Sequence, residues 1–151
     1  MALKPTRISP RGGDSVAYFM AETASRGGVV IWNASSDGSG NLDDPDAVVQ
    51  TSTSNTGTPV GVLMNDVVNL DLTRTHLNQH KDEVQINGKV TVLKYGTVQT
   101  DQLVSGNTPS AGDDAHYTAG GLFTTTGGSA VVGKFASSVD SDGYVVVDVR
   151  L

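Results

Sequence analysis

The chain has 151 residues, 18 of them glycine and none cysteine, with a net charge of −6. A chain of this length makes one domain that buries about 70% of the surface its unfolded form exposes, so it folds without a covalent staple. The missing thiols exclude disulfides, thiolate nucleophiles and cysteine-type zinc sites, and the acidic balance argues against a nucleic-acid partner, because such binding neutralises phosphates.

No stretch approaches the ~20 apolar residues of a membrane span. The opening residues, Met1 to Pro10, hold no apolar run of signal-peptide type. The expectation is a protein made in a cytoplasm, with no membrane partner.

The charge is uneven. Residues 1–13 carry Lys4, Arg7 and Arg11 and no acid, which leaves seven basic residues against 16 acidic ones in the remainder. Two parts follow: an extended basic arm over 1–14 and a β domain over 15–151. Thirteen extended residues at ~3.3 Å each would span about 43 Å. Ordering their backbone costs roughly 1–2 kcal/mol per residue, which Leu3 and Ile8 cannot offset. The arm is expected to be loose until a partner holds it, with Lys4, Pro5, Thr6, Arg7, Ile8 and Arg11 as the candidate partner-binding residues.

Along the chain, Ser15 to Ala21, Gly28 to Trp32 and Val60 to Met64 are short apolar runs bounded by turn formers. The span Asn33 to Thr58 is rich in Ser, Asp, Gly, Asn and Thr and reads as a long irregular loop anchored only at Ala47-Val48-Val49. Val68, Leu70 and Leu72 alternate with polar residues, which predicts a strand, followed by a loop to Glu83. Asn87-Gly88 sits between Glu83–Ile86 and Lys89–Tyr95 and predicts a hairpin with a type I′ turn. Ala115–Thr118 and Leu122–Thr126 flank Ala119-Gly120-Gly121 as a second hairpin. Ala130–Ala136 is a partner for the last strand, in which Val145, Val147, Val149 and Leu151 share one face. About ten short strands separated by turns predict an all-β fold, a sandwich or a barrel.

Chemistry-bearing patterns are sparse. His76 and His80 have the i, i+4 spacing of a metal pair, but zinc wants three or four ligands and no Glu follows His76. Asp37 to Asp44 lacks the sixth-position Gly and twelfth-position Glu of a calcium loop, and Asp140-Ser-Asp142-Gly143 reads as a turn. His116 falls within a predicted strand. Serines lie outside any G-x-S-x-G elbow, and the glycine pairs precede no helix that could cradle phosphate. The aromatic residues are expected in the core. The reading is a non-enzyme with no catalytic residues, no cofactor and no metal.

Residues 58–151 carry a further pattern. It comprises Tyr95-Gly96-Thr-Val98, Pro109-Ser-Ala-Gly112-Asp113 leading to Tyr117, Gly120-Gly-Leu-Phe-Thr124, Val132-Gly133-Lys134-Phe135 and the closing Asp142–Leu151 strand. This turn-and-strand grammar resembles the small head-decoration (cement) proteins of tailed bacteriophages. The resemblance implies a structural protein of the virion, placed in many copies on the outer capsid surface. It further implies the major capsid protein as partner, often with the decoration protein as a homotrimer bridging capsomers. Residues 1–57 fit the pattern less well. An alternative reading is a receptor- or glycan-binding module of a fibre or spike, using the 33–58 loop.

Overall fold

A computed structural model describes residues 9–10, 15–33, 48–51, 55–69, 73 and 83–151. Thirteen strands run through them: β1 Ser9–Pro10, β2 Ser15–Met20, β3 Val29–Trp32, β4 Val48–Thr51, β5 Pro59–Leu63, β6 Asp66–Val68, β7 Glu83–Gln85, β8 Lys89–Leu93, β9 Tyr95–Thr100, β10 Asp114–Tyr117, β11 Phe123–Thr124, β12 Gly133–Phe135 and β13 Val145–Arg150. The described residues hold no α-helix, only a 3-10 turn at Ala119–Gly121. The protein is all-β, as composition and periodicity predict.

Five strands close into a barrel in the order β2-β4-β3-β5-β8. The β2–β4 pair is parallel and the others are antiparallel. A six-stranded antiparallel sheet, β1-β9-β13-β12-β10-β11, covers one side of it. A small parallel pair, β6-β7, hangs on the barrel through the Ala24–Val67 bridge.

Two apolar cores result. Tyr18, Met20, Val30, Val60, Leu63, Val67, Val90 and Val92 form one cluster. The other joins Val29, Ile31, Val62 and Leu93 of the barrel wall to Val98, Tyr117, Phe123, Phe135 and the inward valines of β13. Strands β3, β5 and β8 therefore feed both cores, which explains the near-continuous apolar runs of β3 and β5 and the adjacent buried Val92 and Leu93 at the end of β8. Strand β13 faces a core on one side only, and there the alternation is clean. Val145, Val147 and Val149 are fully buried, while Val146 and Asp148 are half-buried and Arg150 is exposed.

Register accounts for an apparent irregularity in β5. Val30 lies opposite Gly61 and Ile31 opposite Pro59, so Val60 is an extra residue, a bulge. The bulge lets Val60 and Leu63, an odd number of residues apart, reach the same core. At Gly61 the backbone of β5 runs against β8, and a Cβ there would lie 2.4 Å from the Leu93 carbonyl oxygen.

The β10–β11 hairpin forms as predicted, pairing Tyr117 with Phe123. Its turn needs two left-handed residues in succession, Gly120 and Gly121. Gly121 also presses on the barrel, because a Cβ there would meet the Val29 oxygen at 2.3 Å. Thr100 Oγ1 donates to the Gly27 carbonyl at 3.0 Å and Tyr117 OH to the Gly57 carbonyl at 2.7 Å, fastening sheet to barrel from inside.

The Asn87-Gly88 hairpin does not form. Asn87 is left-handed (φ 63), but the turn is centred one residue earlier, with Gly88 N–H donating to the Gln85 carbonyl at 2.8 Å. The flanking strands part: β7 pairs in parallel with β6, and β8 enters the barrel between β2 and β5. The predicted loop 33–58 also contributes more than an anchor. Its Val48–Thr51 is β4, which closes the barrel between β2 and β3, and Glu22 Oε1 accepts hydrogen bonds from both the backbone and the hydroxyl of Thr51. Of the predicted strand at Val68 to Leu72, Asp66–Val68 is strand, and Leu70 to Leu72 lie outside the described residues.

Two substitutions test this packing. Gly61→Ala should cost about 1–3 kcal/mol by forcing β5 and β8 apart. Phe123→Ala should cost about 3–5 kcal/mol by emptying the centre of the inter-sheet core. Urea unfolding at equilibrium reads both as a lowered midpoint with unchanged slope.

Candidate interaction surface

The described residues hold no group of three or more His, Cys, Asp or Glu placed to bind a metal ion, and no helix among them is long and apolar enough to cross a membrane. Of the arm, Lys4, Pro5, Thr6, Arg7, Ile8 and Arg11 lie outside the described residues, as do His76, His80 and Asp37 to Asp44. Ser9–Pro10 is described, and it is the edge strand β1. Ser9 lies opposite Thr97 and Pro10 opposite Gly96 on β9. An edge suits a proline, which lacks an N–H to donate. These two residues are thus seated on the chain's own sheet, where the sequence led us to expect them loose in the free protein.

The outer face of the six-stranded sheet beside this seat is polar. One row runs Thr97, Asp148, Lys134, Asp114 across β9, β13, β12 and β10. Lys134 Nζ donates to Asp114 Oδ1 at 2.7 Å and to the Gly112 carbonyl at 3.2 Å. Asp148 Oδ2 accepts from Arg150 at 2.6 Å, while its Oδ1 is buried without a hydrogen-bond partner. The Lys134 ammonium holds the Asp114 carboxyl below the usual carboxylate range, through its hydrogen bond first and its charge second.

The other predicted residues are structural in their surroundings. Asp140 Oδ1 accepts from the N–H of Asp142 and Tyr144 at 3.0 and 2.8 Å, and its Oδ2 accepts from Gln99 at 3.1 Å. That is a side-chain-built turn, as read from the sequence. His116 stands in β10 with Nδ1 3.0 Å from the Ser129 carbonyl. A depression of about 400 Å³ lies between Thr23–Ser25 and β6–β7, with Asp66 and Glu83 on its wall. Asp66 is committed there, accepting from the Arg26 N–H at 2.9 Å and pairing with Arg26 Nε at 3.4 Å.

Tyr18, Tyr117, Phe123 and Phe135 are core residues as expected, but Trp32 is 37% exposed. It stands edge-on to Tyr18 at 5.3 Å, and Lys94 Nζ lies 5.3 Å from the centre of the same tyrosine ring. Sequence position gave one hint: Trp32 ends its apolar run directly before polar Asn33. No protein-family model matches the sequence, and no curated protein matches it.

The Lys134–Asp114 pair has a pH consequence. A carboxyl held low in the fold favours the folded state at neutral pH, and that contribution is lost as pH falls through the folded-state pKa. Both side chains are more than half exposed, so the contribution to stability is small. In Lys134→Ala, carboxyl-carbon NMR should find Asp114 titrating at higher pH than in the parent.

Proposed function

We propose that this protein is a capsid decoration, or cement, protein of a tailed bacteriophage, bound to the outer surface of the head and bridging capsomers. The observation that carries the reading is the seat of β1. Residues 1–13 bear three basic residues and no acid, and within them Ser9–Pro10 is a two-residue edge strand on β9. So short a ladder exchanges readily. The same arm can add its strand to the sheet of a neighbouring subunit, with main-chain hydrogen bonds supplying affinity and the basic side chains supplying register and specificity.

The remainder of the molecule suits that role. Its two cores share walls, its sheet edges are short, and the outer face of the six-stranded sheet is polar, so the body is a rigid spacer between attachment points. A pressurised shell is reinforced by many such contacts acting together, because each bound copy raises the effective concentration of the next contact. In this reading the partners are the major capsid protein and sister copies of the chain, as a trimer, and the protein acts in the virion without cofactor or catalysis.

Deleting residues 2–13 should leave a folded body that is largely lost from purified heads, and heads lacking it should release DNA at lower temperature. Full occupancy and unchanged head stability after the deletion would remove the arm from this account.

A further inference from the structure

Two adjoining depressions lie at the β10–β11 end of the sheet, of about 230 and 280 Å³, and share Val104, Thr124 and Thr126. Their floor is locked. Asn107 Nδ2 donates to Thr124 Oγ1 at 2.9 Å, Thr125 Oγ1 donates to Asn107 Oδ1 at 2.9 Å, and the Thr126 N–H donates to Thr124 Oγ1 at 3.1 Å. Their rim is not. The side chains of Asn55, Ser105, Thr108, Thr118 and Thr126 make no hydrogen bond within the described residues. Fixed polar groups beneath, with hydroxyls and an amide around them, form an open hollow able to exchange hydrogen bonds with a ligand.

The charge pattern narrows the ligand. Residues 102–112 and 115–133, which supply most of the lining, contain no Asp, Glu, Lys or Arg. At the chain's mean of 17% charged residues, thirty positions would carry about five. An anionic ligand would want an arginine or lysine fork, and a cation would want carboxylates. Neither is present in the lining. The first depression offers apolar as well as polar surface, with Val104 in it, while the second is mainly polar.

Strand addition is blocked too. The free side of β11 is taken by the chain itself, Phe123 N–H donating to Gln102 and Val104 N–H to the Phe123 carbonyl, at 2.8 and 3.0 Å. A ligand matched to this lining is uncharged and exchanges hydrogen bonds with threonine hydroxyls and an amide.

We infer that this groove is a binding site for a neutral glycan. Hydroxyls of Thr108, Thr118 and Thr126 and the Asn55 amide would bond to the sugar's hydroxyl groups over the fixed Asn107–Thr124 floor. The inference is independent of the capsid reading and concerns the isolated protein.

The test is a printed array holding neutral, sialylated and sulfated glycans, probed with the full chain and followed by calorimetric titration of the best neutral ligand. Binding to neutral glycans is expected, weakened about tenfold or more by Thr126→Lys and by Thr108→Lys and retained by Thr126→Ser. Both lysine variants replace exposed side chains, and unchanged melting curves confirm that they fold. Failure to bind any neutral glycan at about 1 mM, preference for the charged glycans, or equal affinity in the lysine variants would overturn the inference. So would a concentration-dependent mass that Thr126→Lys abolishes, since the groove would then seat a second copy of the chain.

Discussion

The wall shared by β3, β5 and β8 is the constraint on which the rest of the molecule depends. Val30, Val60 and Val92 face the barrel core from it, while Val29, Val62 and Leu93 face the six-stranded sheet. A slip of one residue in any of these strands would exchange two sets of buried side chains at once, so the register is fixed from both sides. The bulge at Val60 and the bare backbone of Gly61 reconcile the two packings, one by shifting the phase of β5 and the other by letting it approach β8.

Where a strand answers to one core, its role was legible in the sequence. The alternation in β13 names Val145, Val147 and Val149 as its buried face, with Leu151, predicted to share it, exposed beyond the strand end, and the glycine pair at 120–121 marks the β10–β11 hairpin. Where tertiary contacts compete with local ones, legibility fails. Asn87-Gly88 has the chemistry of a tight hairpin, yet the Asn87 N–H donates to Met20 and the Gly88 carbonyl accepts from Met20, so β2 captures the turn and sends its flanks to different sheets. Strand β4 was hidden because it is four residues long within a Ser- and Asp-rich span and takes a parallel partner whose residues lie far off in sequence.

The surfaces were harder to read than the cores. Isolated threonines and asparagines look like ordinary solvated positions, and only their gathering at one end of the sheet distinguishes Thr108, Thr118 and Thr126. Trp32 was placed in the core by the usual habit of its residue type, whereas it sits at the end of its strand, edge-on to Tyr18 and partly open to solvent.

The proposed role has such a body, with a register fixed by two cores, gripping what lies beside it. A reconstruction of intact heads from a phage carrying this sequence, with the protein's mass in solution, tests that proposal most directly. The account predicts a trimer seated on the outer shell above junctions between capsomers, with density for the 1–14 arm running into a neighbouring subunit. A shell without this protein, or the protein found as a monomer at the tips of tail fibres, would contradict it.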